Sequence, residues 1–284
     1  MSNIKITTDS TADLDYLFNE LNIPVMPLSI TLEGNEYRDG IDINPAKIFE
    51  TYETKKVLPK TAAVNPDEYA EFFRAQKPEN GSLIHFACSG DLSLSYSNAS
   101  NAAKEIENVF IIDSRTLSTG MGLLVLKALD FAKGGMAVEE IVNMINQLAP
   151  HTQTSFIVNN LEFLHKGGRC SGLQLILAGI LKIRPVLQLI GGKIIPARKY
   201  KFTNFKKSIQ RYIEETLAQY NTPDYSRIFI THSFVEDELV EEAKALIKQL
   251  APDFKEILIT TAGSAVTTHC GKGTLGILYI NSAL

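Results

Sequence analysis

The chain has 284 residues, 45% hydrophobic and 21% charged, with 18 Gly and 11 Pro, enough for two packed domains and outside disordered, collagen-like and coiled-coil compositions. Lys and Arg number 28 against 32 Asp and Glu, which excludes a surface basic enough to grip nucleic acid all round. Cys88, Cys170 and Cys270 are odd in number and far apart, which excludes a disulfide framework or zinc knuckle; with no signal-peptide pattern and no apolar run near the ~20 residues of a membrane span, a soluble cytoplasmic protein is expected.

The first half reads as βαβ. Strands are predicted at 4–8, 25–32, 82–88 and 109–112, three of them almost continuously apolar, as buried parallel strands are. Helices between them have visible starts. Asn44-Pro45 and Asn65-Pro66 each set a capping side chain before a proline at the first helical position, and Glu68 completes an Asn-x-x-Glu capping box. Helical patterns at 117–132 and 138–148 close the region, and the polar stretch 150–154 reads as a linker. Domains at 1–152 and 153–284 follow. The second half is predicted as α+β with a mixed sheet: a strand at 155–158, an apolar helix near 173–181, and strands at 185–190 and 193–197 joined as a hairpin by Gly191-Gly192. Helices at 205–219 and 236–250 and strands at 227–231, 256–260 and 274–280 complete it.

Three first-half strands end in hydroxyl-rich turns: Thr8-Asp9-Ser10-Thr11, Cys88-Ser89-Gly90-Asp91-Leu92-Ser93 and Asp113-Ser114-Arg115. Ligands of open parallel sheets lie beyond the carboxyl ends of the strands. Any one of these hydroxyls reads more readily as a helix cap than as a ligand group; the coincidence of three points to a site. His269-Cys270-Gly271-Lys272-Gly273-Thr274-Leu275-Gly276 contains a formal GxGxxG, but a strand rather than a helix follows it, so the dinucleotide reading fails. The glycines leave two readings of His269, an anion holder beside exposed amides or a satisfied structural histidine. Lys166-Gly167-Gly168-Arg169 is a second glycine-flexed basic turn, readable as a helix stop. After it Leu173, Ile176, Leu177 and Ile180 belong to a helix apolar on nearly every face, either a core helix or the wall of an apolar cavity. No GxSxG elbow, HExxH or EF-hand pattern is present.

Together these motifs resemble the DegV family of bacterial fatty-acid-binding proteins, the acyl-binding component of the fatty acid kinase system. The resemblance runs nearly end to end: Thr8-Asp9-Ser10-Thr11-Ala12-Asp13-Leu14, Lys60-Thr61 before a helix, Leu92-Ser93-Leu94-Ser95-Tyr96, Asp113-Ser114, Lys166-Gly167-Gly168-Arg169, and His269-Cys270-Gly271-Lys272-Gly273. It implies two α/β domains enclosing one long-chain fatty acid, its carboxylate held by Thr61, Ser93 and His269. Ser10, Thr11, Ser95, Ser114, Arg169, Gly271 and Gly273 are then expected in the ligand's vicinity, and Leu173, Ile176, Leu177 and Ile180 along the tunnel. Fatty acid is the ligand; neither metal nor cofactor is expected. Leu94, Lys272 and Lys201 stand where the family usually has glycine, proline and arginine, and the point charge of a lysine does not reproduce arginine's bidentate fork.

The resemblance also implies a non-catalytic carrier that presents its ligand to an ATP-binding kinase subunit and receives acyl-phosphate for phospholipid synthesis. The competing readings are a serine esterase or acyltransferase using Ser93 with His269, and a small-anion sensor. Charge adds a surface expectation: 163–213 holds no Asp or Glu but eleven Lys and Arg. An acid-free run in a net-acidic chain departs from the usual mixed-sign surface. The kinase subunit is therefore expected to dock there through Arg169, Lys199, Lys201 and Lys206, a surface shared in passing with anionic membrane.

Overall fold

Short apolar strands and capped helices assemble into three sheets in a computed structural model that describes residues 3–159, 161–170, 183–201, 204–220 and 222–281. The predicted helix near 173–181, with Leu173, Ile176, Leu177 and Ile180, lies outside the described residues.

The first sheet is wholly parallel, ordered β2(Val25–Met26), β1(Ile4–Asp9), β6(Ser82–Ala87), β7(Val109–Asp113). Helices α3(Pro66–Gln76) and α4(Ser95–Ala103) cover one face through Tyr69, Phe73 and Ala99; α5(Thr119–Lys133) and α6(Val138–Leu148) cover the other through Leu124, Ile141 and Ile145. Both proline-led helices start as predicted. Asn44 Oδ1 accepts from Lys47 N at 3.0 Å at the head of α2(Pro45–Lys55), and Asn65 Oδ1 from Glu68 N at 2.9 Å. Glu68 departs from the capping box: its carboxylate pairs with Arg38, two bonds of 3.1 Å each, so a bidentate arginine wins over the backbone of Asn65.

The predicted strand at 25–32 is two strands. Pro27 lacks the N–H a ladder needs, so the chain leaves the parallel sheet after β2 and enters a small antiparallel sheet ordered β4(Asn35–Arg38), β3(Ser29–Leu32), β5(Lys60–Ala62). Thr61 sits on β5 opposite Ile30.

The third sheet is mixed, ordered β10(Lys193–Tyr200), β9(Arg184–Ile190), β8(Thr152–Val158), β13(Thr274–Ile280), β11(Arg227–Ser233), β12(Glu256–Thr261). Its first strand begins earlier than expected. Thr152, Gln153 and Thr154, read from sequence as linker, pair with Ile280, Tyr279 and Leu278; β-branched threonines suit a pleated ladder, and Gln153 Nε2 donates to the Ile277 carbonyl at 3.1 Å. Gly191 and Gly192 turn the β9–β10 hairpin at φ +57° and +84°, the positive values a two-residue turn requires. Helices α8(Phe205–Gln219) and α9(Asp237–Leu250) pack on one face through Tyr212, Ile213 and Ile247. The other face meets α5, since Phe229, Leu278 and Ile280 share one core cluster with Leu124 and Ile84. Helix α5 is thus clamped between two sheets, and Gly120 and Gly122 permit the approach: a Cβ at either would run into the Thr154 hydroxyl or the Leu14 side chain.

Three short helices complete the frame, the first being α1(Leu17–Glu20). α7(Glu162–Gly167) ends on Gly168 at φ +66°, as the helix-stop reading of Lys166-Gly167-Gly168 anticipates. α10(Ser264–Cys270) was not foreseen; it carries His269 and stops at Gly271, φ +73°.

Candidate functional site

A cavity of about 640 Å³ opens between the carboxyl ends of the parallel strands, the small sheet and the mixed sheet. Its wall includes Leu28, Phe156, Leu164 and Leu278, and its polar rim brings together Thr61, Ser93, Arg169 and His269.

His269 is placed by an unusual helix start. The first two amides of α10 point at carboxylates distant in sequence: Gly263 N donates to Asp13 Oδ1 at 2.9 Å and Ser264 N to Asp39 Oδ1 at 2.8 Å. Asp13 holds φ +50° and also accepts from Ser118 Oγ at 2.6 Å. Burial pushes its carboxyl up to about 8, and burial raises Asp39 as well. Uncharged acids still accept from amide N–H groups, so the cap survives protonation.

One turn on, His269 Nε2 lies 2.8 Å from Thr61 Oγ1. Its Nδ1 is buried against Gly167, and a Cβ at Gly167 would fall 2.7 Å from it. Burial first, then the nearby Arg169 charge, lower this imidazole to about 4. It is neutral across the physiological range. Gly271 and Gly273 serve the backbone: a Cβ at Gly271 would strike Phe163, and Gly273, at φ +76°, donates to Ser233 O at 2.7 Å.

The Ser93 loop follows β6. Asp9, buried at the end of β1, accepts from Tyr69 Oη at 2.6 Å and Cys88 N at 3.1 Å, tying the loop's first residue to the sheet. The loop then turns on Ser89, whose carbonyl accepts from Leu92 N and Ser93 N. Ser89 Oγ reaches across to donate to Gly192 O of the hairpin at 2.9 Å. Ser93 Oγ is 2.9 Å from Ser95 Oγ and accepts from Ser95 N at 3.1 Å, half-buried in the cavity wall. Leu94 beside it is 68% exposed.

The expected vicinity divides in two. Thr11 and Arg169 line the cavity with Thr61, Ser93 and His269. Ser10 is buried and accepts from Leu28 N at 3.2 Å; Ser114 is buried and donates to Thr116 O at 3.0 Å; Ser95 supports Ser93. Among the described residues these three, Gly271 and Gly273 stand outside the lining. Sequence reasoning missed the hydroxyls of the mixed sheet that line the same cavity, Thr154, Thr231, Ser233 and Thr274. They are paired in turn: Thr154 with Thr116 at 2.8 Å, Thr231 with Thr260 at 3.0 Å and Ser233 with Thr267 at 3.2 Å. The one clue the sequence offered is at the carboxyl end of β11, where the apolar run Ile228 to Ile230 gives way to Thr231-His232-Ser233.

A serine-hydrolase geometry is not assembled. Ser93 Oγ bonds to Ser95 and His269 Nε2 to Thr61, and an imidazole lowered to about 4 is a poor base at neutral pH. Burial pushes Cys88 and Cys270 up to about 12 and Cys170 to about 11, which keeps these thiols protonated.

The acid-free stretch is partly neutralised in space. Lys166 pairs with Glu162 at 3.1 Å, Lys193 with Asp91 at 3.5 Å, Arg211 with Glu215 at 2.6 Å, and Lys206 with Glu242. Arg169, Lys199, Lys201 and Lys207 are exposed and carry no ion pair among the described residues. Of the four expected docking residues, Lys206 is therefore the one already engaged.

No helix among the described residues is long and apolar enough to cross a membrane. A family profile described as "Uncharacterised protein, DegV family" matches residues 3–282. A DegV domain-containing protein of Deinococcus radiodurans is 28% identical over 285 residues, 97% of each chain. Among solved structures, a DegV family protein from Thermus thermophilus described by its fatty acid binding is 30% identical, with a TM-score of 0.88 over 98% of this chain and 99% of that one. DegV from Bacillus subtilis, described as a fatty acid binding protein, is 25% identical, with a TM-score of 0.81 over 99% of both chains. A match across the whole chain, in sequence and in fold, establishes that this chain belongs to the DegV family.

Proposed function

We propose that the protein binds one long-chain fatty acid between its two halves, residues 1–152 and 153–284, and acts as a carrier rather than as an enzyme. The observation that carries the reading is the Thr61–His269 contact of 2.8 Å at the rim of a cavity whose surface is mostly apolar. Burying an acyl chain supplies ~0.8 kcal/mol per CH₂, on the order of 10 kcal/mol for a long one. The head group then needs only a few donors. A neutral His269 carrying its proton on Nε2 donates to Thr61 Oγ1 and frees the Thr61 hydroxyl to donate to a carboxylate; Ser93 Oγ adds a second donor. Hydroxyls hold a carboxylate without neutralising it, so its oxygen stays nucleophilic.

Such a carrier suits a separate ATP-binding kinase subunit. The bound carboxylate oxygen attacks the terminal phosphorus of ATP, ADP leaves, and the acyl-phosphate departs on the carrier toward phospholipid synthesis in the cytoplasm. Arg169, Lys199 and Lys201 supply the docking charge, with passing contact to anionic membrane during lipid exchange.

The test is mass spectrometry of lipid extracted from protein purified without added fatty acid, followed by titration of the delipidated protein with oleate and palmitate. One fatty acid per chain is expected. An empty extract together with no uptake of either acid would overturn the reading.

A further inference from the structure

Thr61 and Ser93 reach the cavity rim on separate bodies. Thr61 stands on β5 of the small antiparallel sheet, whereas Ser93 stands on the loop between β6 of the parallel sheet and α4, and no ladder joins those two sheets. Each hydroxyl is fixed only within its own surroundings, Thr61 by the pairing of β5 with β3 and Ser93 Oγ by the Ser95 N–H. An anion that accepts from both needs the spacing between them held as well, because a hydrogen bond weakens steeply off its distance and angle.

The joint between the two bodies is Asn98. Ser95, Ala99 and Ala102 form the buried stripe of α4, and Asn98 flanks that stripe where the helix borders the cavity beside Ala62 and Ala63. Its Nδ2 donates to the Val64 carbonyl at 2.8 Å, in the segment that runs on from Thr61. Only the N–H side of an amide can serve a carbonyl, so the orientation of this side chain is set. Its backbone N–H donates to Leu94 O at 2.9 Å, beside Ser93. One residue thus holds Val64 with its side chain and Leu94 with its main chain, and among the described residues no other hydrogen bond joins 60–64 to 88–98. Val64 also packs with Tyr69, Phe73 and Ala99. Apolar contact is non-directional and permits a slide that a hydrogen bond resists.

We propose that Asn98 is a positioning residue of the head-group site, one that sets the spacing between the Thr61 and Ser93 hydroxyls; the inference rests on the fatty acid reading and adds to it the residue that fixes the geometry. The experiment replaces Asn98 by Leu in the full-length protein, which keeps the volume and removes the donor, and it has two readouts. In the ligand-free protein, slackening the tie to Val64 should move Thr61 off His269 Nε2, so the ring resonances of His269 should shift in Asn98→Leu. Unshifted resonances would overturn the proposal whether or not any fatty acid binds. In oleate titrations Asn98→Leu should weaken binding by about five-fold or more in the wild-type background, and by less than about two-fold once Thr61→Val is present, since no hydroxyl is then left to place. Equal losses in both backgrounds would mean that Asn98 touches the ligand itself, and would overturn the positioning role. Should Asn98→Leu not fold, Asn98→Asp, which keeps the shape and at neutral pH also lacks the donor, carries the same two readouts. Failure of the wild-type protein to take up oleate would count against the fatty acid reading instead, with the resonance shift still deciding the tie.

Discussion

In the proposed head-group site Thr61 and Ser93 each offer one hydroxyl to the ligand anion, and a charge-assisted hydrogen bond of this kind is worth roughly 1.5–3 kcal/mol. Thr61→Val and Ser93→Ala should each weaken oleate binding by about ten- to hundred-fold, while the apolar wall still buries the tail. Titration of delipidated variants checks this, and wild-type affinity in both would remove the two residues from the head-group site. His269 gives a second handle. Its folded pKa of about 4 lies below the ordinary 6.5, so between those values the unfolded chain takes up a proton that the folded chain refuses; this contribution to stability is present above pH ~6.5 and is lost as pH falls through ~4. The Arg169 charge is the second cause of the depression. In Arg169→Gln the His269 Cε1–H resonance should therefore titrate at a higher pH than in wild type, and an unmoved titration would show that burial alone sets it. These three polar residues were legible because each sits in a short motif whose order is specific. The pairing of Thr61 with His269, 208 positions apart, was legible only through the family resemblance, since no local pattern encodes so distant a contact.

Helix α10 exists because two distant carboxylates cap it. It has seven residues, too few to be stable alone, and its start is fixed by Asp13 and Asp39 rather than by a neighbouring side chain. That explains why sequence periodicity did not reveal it. The same physics makes it sensitive to alkali. Asp13 has a folded pKa of about 8 against an ordinary 3.8, so the folded protein holds a proton the unfolded chain has released; stability from this group falls as pH rises from ~4 and is lost through ~8. Asp39 shifts in the same direction. Asp13→Asn keeps an acceptor for Gly263 N and has no proton to release. Urea melts from pH 5 to 8 should show a shallower decline in stability for this variant than for wild type; identical slopes would place the proton elsewhere. Elsewhere the elements were legible where the cause is local: proline-led helices at Asn44 and Asn65, and a hairpin at Gly191-Gly192. The strand broken at Pro27 and the three-residue extension of β8 were missed because both are decided by which sheet the chain joins, a long-range choice.

At the scale of the whole molecule, charge and packing behave differently from their sequence patterns. An acid-free stretch became a surface on which several cations already have partners, leaving Arg169, Lys199 and Lys201 as the members of the expected docking set without an ion pair among the described residues. Reversing Lys199 and Lys201 to glutamate should slow kinase-dependent phosphorylation of bound fatty acid, most strongly at low ionic strength where steering is least screened, with fatty acid affinity unchanged. Undiminished phosphorylation at low salt would rule out this face as the dock. The clamped position of α5 has a different consequence. By chain order the helix belongs to the first half, yet Phe229, Leu278 and Ile280 of the second half complete the core it packs in. A polypeptide severed after residue 152 would leave one fragment with a bare hydrophobic helix and the other with an unroofed sheet, each prone to aggregate. Heating the intact chain should accordingly give a single calorimetric transition, and the two fragments should regain solubility and oleate binding only when refolded together.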